Sequence, residues 1–132
     1  MKPISILSWL LRIAAAVILL QTLYFKFSAH PESVELFTKL GVEPWGRIGT
    51  GIIELLASVL LLVPATVFIG AFLGIGLMGG AILSHLTVIG IESKGDGGQL
   101  FGLALIVMAC SLAIALIHKQ QGIQLFQKYF KK

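Results

Sequence analysis

The sequence predicts an all-α protein whose helices form a transmembrane four-helix bundle, and three observations carry that prediction. Of 132 residues, 57 % are apolar and 12 % are charged, whereas a soluble domain carries about 25 % charged residues. A chain of 14.2 kDa cannot bury that much apolar surface within itself. The apolar residues also gather into four segments, each close to the roughly 20 residues that cross a bilayer at 1.5 Å per residue. Turn-forming and charged residues separate them. The spans are expected at about 4–26, 46–63, 66–91 and 100–118, all within a single membrane domain covering 1–132.

The first span carries Arg12 and ends at Lys26. A cleaved leader is the competing reading, but the apolar stretch is long, Arg12 interrupts it, and no small-residue cleavage site follows. Residues 27–46 form a long connection. Within it Pro31 suits a first helical position and Gly41 a C-terminal cap, while Val34, Phe37 and Leu40 recur at helical spacing. An amphipathic helix over about 32–40, lying on the membrane face, is the expectation.

The second and third spans are joined almost directly through Pro64-Ala65-Thr66, and from Ala65 to Ile91 there is no Asp, Glu, Lys or Arg. That stretch exceeds one bilayer thickness, so it must tilt or break. Gly70-x-x-x-Gly74 and Gly76-x-x-x-Gly80 remove side chains where another helix backbone can approach, in the bundle or in a homo-oligomer. The tail at 119–132 sets Phe126, Tyr129 and Phe130 beside Lys128, Lys131 and Lys132. It reads as a basic interfacial anchor in contact with membrane lipids.

Four spans place both termini on one side. Lys2, Lys119, Lys128, Lys131 and Lys132 flank that side, against Lys26, Lys39, Arg47 and Lys94 on the other. The excess predicts that both termini are cytoplasmic. The net charge of +4 then answers to anionic headgroups, and no nucleic acid partner is expected.

Chemistry is confined to the few polar groups that the spans retain, since such groups are costly in lipid and normally face the bundle. Arg47, Thr50, Gly51, Glu54 and Ser58 form one polar and small stripe at helical spacing, and Ser5, Ser8, Arg12, Ala15, Thr22 and Lys26 form another. The two stripes should meet. Counted inward from the outer ends, Glu54 lies roughly 10 Å deep and His85 roughly 9 Å deep. Gln21 shares their layer, off the Arg12 and Lys26 face. Lys26 points back toward the helix N-terminus and can reach Glu54. Arg12 lies about 21 Å from the outer end, where it either pairs with Glu54 or extends toward the cytoplasmic headgroups. The candidate ligand-binding residues are therefore Glu54, His85, Lys26, Arg12, Gln21 and Thr50. Glu54 has two readings, a carboxylate that fixes helix register and a proton-exchanging group; His85 is either a hydrogen-bonded structural residue or the donor of a hydrogen bond to a ligand headgroup.

No metal site is expected, because His30 and His118 lie in a loop and at the opposite face from His85. The single Cys110 excludes a dithiol centre. Phosphate-binding glycine loops, H-E-x-x-H and a nucleophile elbow are all missing from the sequence. ATP-driven work and zinc hydrolysis are thereby disfavoured.

Leu11-Arg12-Ile13, Phe25-Lys26-Phe27, Gly51-Ile52-Ile53-Glu54-Leu55-Leu56, Ser84-His85-Leu86 and Gly95-Asp96-Gly97-Gly98 stand in an order and spacing that resembles the DoxX family of small membrane proteins. The sequence departs from the family pattern in having Phe25 where a glycine usually precedes the lysine. It also has Ala65-Thr66-Val67 where a Thr-Arg pair often opens the third span. The resemblance implies a four-helix bundle of the bacterial inner membrane associated with redox complexes, including thiosulfate-to-quinone electron transfer. On that basis the leading expectation is a membrane subunit or quinone-proximal module of a redox system. A quinone is the cofactor to look for, none is held covalently, and a redox subunit is the partner. The rival readings are a non-enzymatic protein that binds a lipid or small molecule or assists membrane-protein assembly, and a small transporter.

Overall fold

The computed structural model describes residues 2–91 and 97–130. Gly95 and Asp96 of the family-like glycine motif, and Lys94, Lys131 and Lys132 of the charge comparison, lie outside them. Helix α1 spans Pro3–Phe27, α2 Pro31–Lys39, α3 Trp45–Leu62, α4 Val67–Ser84, α5 Gln99–Ile117 and α6 Lys119–Phe130. A short 3-10 turn at Pro64–Thr66 joins α3 to α4, and α4 continues as a wide π-turn at His85–Ile89.

Helices α1, α3, α4 and α5, with the turns flanking α4, are long and apolar enough to cross a membrane. Each packs on two neighbours, in the cyclic order α1, α3, α4, α5. The centre is apolar, with Ala15, Leu19, Ala57, Leu61, Val67, Ala71, Val107 and Ile114 buried. Large apolar side chains such as Leu10, Val17, Phe72, Leu83 and Leu116 point outward, while Arg12, Arg47, Glu54, Ser58 and His85 are inside. That inversion of the usual soluble pattern is stable only where lipid is the surrounding solvent.

Close approach of α3 and α4 requires Gly70, because a Cβ there would lie 2.7 Å from the Leu61 backbone nitrogen. Gly74 makes room in the same way for the Ser111 hydroxyl on α5. Gly76 and Gly80 have no such neighbour and line the cavity described below.

The expected break in the third span falls at His85. Gly90 N–H donates to the His85 carbonyl at 2.8 Å, which widens the last turn by one residue, and Gly90 ends the helix at φ +88°. Helix α2, expected on the membrane face, folds over the end of the bundle, with Phe37 buried and Leu36, Phe37 and Leu40 closing a cavity, so that part of its apolar face rests on protein. The tail forms the helix α6, on which Phe126, Tyr129 and Phe130 are exposed.

A buried Glu54 facing a lidded cavity

Glu54 sits midway along α3 and is 3 % exposed. The Lys26 ammonium Nζ is 2.9 Å from its Oε1, and Thr22 Oγ1 is 2.5 Å from its Oε2. Both partners come from the last turns of α1, whose stripe does meet that of α3. Lys26 is held in place from behind: Arg47 donates through a terminal nitrogen to the Lys26 carbonyl and through Nε to Glu43 Oε1 at 2.8 Å. The end of α1 is thereby tied to the start of α3.

The Thr22 hydroxyl has one hydrogen and two acceptors, since Oγ1 also lies 2.8 Å from the Leu19 carbonyl. If Glu54 is ionised, Thr22 donates to the carboxylate and the carbonyl goes without. If Oε2 is protonated, Glu54 donates to Thr22, and Thr22 donates to Leu19. Either state of the carboxyl therefore has a complete set of close contacts at Oε2.

Glu54, Lys26, Thr22, Gln21, Thr50 and His85 all line a cavity of about 740 Å³ bounded by α1, α3, α4 and α5 and covered by α2. This volume is within the range of small-molecule sites, which are mostly apolar with a few placed polar groups. Ile18, Leu77, Leu103 and Val107 supply the apolar wall. His85 Nδ1 is 2.9 Å from the Gly90 carbonyl oxygen, and a carbonyl only accepts, so Nδ1 carries the hydrogen. With its hydrogen at Nδ1, an uncharged ring offers an acceptor at Nε2; the ring lies tilted against Phe101, 5.4 Å between centroids.

Arg12 is not in this group. It is 3 % exposed, donates through Nε to the Leu61 carbonyl at 2.6 Å, and lies with its guanidinium 3.7 Å from the Trp9 ring. The cause is local. Pro64 has no N–H, so the chain turns before the last carbonyls of α3 find helical partners. Thr66 Oγ1 takes the Leu60 carbonyl at 2.9 Å, and Arg12 takes that of Leu61. It does not pair with Glu54, which is taken by Lys26.

Thr22 and Arg47 lie in the polar stripes outside the candidate set, and Glu43, just before α3, lies outside both; the four-residue spacing of Glu43 and Arg47 is the sequence signal of their ion pair. Among the described residues no cluster of His, Cys, Asp and Glu is arranged to hold a metal ion.

Fold and site together define an integral membrane protein, a four-span bundle with a polar-edged cavity under a short lid helix. The chain belongs to the DoxX-like family, whose model matches residues 10–115 and so includes every cavity residue named here. Neither the curated proteins nor the solved structures contain a match to it.

Proposed function

We propose that this protein is a membrane subunit of a redox system in the bacterial inner membrane, with both termini cytoplasmic, and that its cavity receives the headgroup of a quinone-class amphiphile. The observation that carries the reading is the common cavity of Glu54 and His85, a carboxyl and an imidazole at the edge of an apolar space. A hydroquinone supplies two electrons and two protons when oxidised; the electrons pass to a partner subunit. His85 Nε2 accepts a hydrogen bond from a headgroup hydroxyl and takes up one of the two protons. Glu54 takes up the other at Oε2, where Thr22 reverses its hydrogen to match, and the Lys26 ammonium stabilises the ionised carboxylate before transfer.

The test is organic extraction of detergent-purified protein, with the extract separated and quinones measured against protein. A quinone retained near one per chain is expected, falling about tenfold in both Glu54→Gln and His85→Ala, as for the loss of about 1.4 kcal/mol of binding. Occupancy unchanged in both folded variants, or a phospholipid in place of the quinone, sinks the reading. The phospholipid result favours instead the non-enzymatic binding role, for which the lidded apolar wall is equally suited.

A further inference from the structure

We infer that the end of the bundle opposite the lid holds a second site, in which Arg12 and His118 bind the phosphate of an anionic phospholipid. A guanidinium stays charged at any relevant pH, so inside a membrane it needs hydrogen-bond acceptors or a counter-charge. Arg12 has the Leu61 carbonyl at Nε and the Trp9 ring against its face, but its buried Nη2 has no partner. Among the described residues no acid supplies one: Glu32 and Glu35 are on the lid helix, Glu43 lies between it and α3, and Glu54 is taken by Lys26.

The surroundings of Arg12 are basic. His118 follows directly on α5, its Nε2 is 2.7 Å from the buried Ser8 hydroxyl, and it is close enough to Arg12 to feel its charge. Lys119 comes next in the chain and edges a groove of about 410 Å³ between α6 and Phe68, walled by Ile123 and Phe126. An anionic oxygen on Nη2 completes the guanidinium, and the groove beside the same end gives an acyl chain an apolar path. Trp9 is half-buried, and its indole is the side chain that moves aside on entry. The depth fits as well: Leu61 is one residue from the end of α3, where the hydrocarbon gives way to headgroups.

Native mass spectrometry of the detergent-solubilised full chain, titrated with dioleoyl phosphatidylglycerol or dioleoyl phosphatidylcholine, tests this. One phosphatidylglycerol is expected to be retained at least fivefold more strongly than phosphatidylcholine. Arg12→Gln abolishes that preference, Arg12→Lys keeps part of it, and Lys39→Gln at the lid end leaves it intact. Because Arg12→Gln disturbs the end of α3, His118→Gln serves as a second variant, and it too weakens the preference. Equal retention of the two lipids by the wild type overturns the proposal. So does full preference in both Arg12→Gln and His118→Gln. Inorganic phosphate at 10-fold excess is expected not to displace the lipid; displacement assigns the site to a free anion and overturns the lipid assignment.

Discussion

Arg12 and Lys26 stand on the same helix, fourteen positions apart and so roughly 21 Å along its axis, and the bundle treats them in opposite ways. Lys26 meets a carboxylate at the edge of a large cavity. Arg12 meets a backbone carbonyl and an indole in tight packing. The difference lies in what each end of the bundle leaves unfilled. At the lid end a hairpin of some twenty residues places α2 over a space that four helices do not close, and polar groups there keep room for a ligand. At the opposite end the turn at Pro64 is so short that α3 and α4 are pressed together, and the cation is used to finish a helix. Depth alone does not tell these fates apart.

The comparison is broken most severely at the lid end. Glu54→Leu leaves the largely covered Lys26 ammonium without its partner, at an expected cost of about 3–5 kcal/mol, measured by equilibrium unfolding in mixed micelles. The double variant Lys26→Met, Glu54→Leu recovers most of that loss, because a matched apolar pair carries no desolvation penalty. A loss below about 1 kcal/mol for the single variant, as for an exposed pair, means that water reaches the pair and that the two ends differ less than the geometry indicates.

A smaller effect separates the glycines of α4. Gly70→Ala pushes a methyl group into the α3 backbone and is expected to destabilise by about 1–3 kcal/mol, as overpacking does. Gly80→Ala, which meets nothing within 4 Å, gains up to about 1 kcal/mol of helix propensity and narrows the cavity. Thermal unfolding of the two variants side by side checks the contrast, and equal effects would place both glycines in the same environment.

The smallest expected effect is a pH dependence at the Arg12 end. Burial, and after it the Arg12 charge, hold the His118 imidazole below its ordinary value of 6.5. The folded state therefore favours the neutral ring. Its contribution is fully present above the unfolded value and is lost as pH falls through the folded one. Wild-type protein in zwitterionic detergent is expected to unfold at lower temperature at about pH 5 than at about pH 7.5, with the difference reduced in His118→Gln. An unchanged difference shows that other groups carry it.

Composition and hydropathy were enough for the four spans, because a helix in lipid must satisfy its backbone internally and show apolar side chains outward. The same logic made Lys26 and Glu54 legible as neighbours: helical spacing aligned their stripes, and the lysine side chain at the rim points back along its helix toward the deeper carboxyl. Pro31 and Gly41 bounded α2 well, yet amphipathicity is the same for a helix on lipid and for a lid on protein. Its placement had to come from the bundle. Thr22 gained importance only when its single hydroxyl hydrogen was seen between two acceptors.

What the sequence by itself determined was membership in the membrane class, the helix order, that the third span must tilt or break, and the acid–base pair at the end of the first. Each follows from local chemistry, that is, apolar length, glycine and proline placement, and residue period. The tertiary structure decided where α2 lies, that Arg12 completes α3 at the Pro64 turn, and that His85 spends its hydrogen on Gly90. These depend on which backbone groups are left without partners once the chain has turned, and only the folded path reveals that.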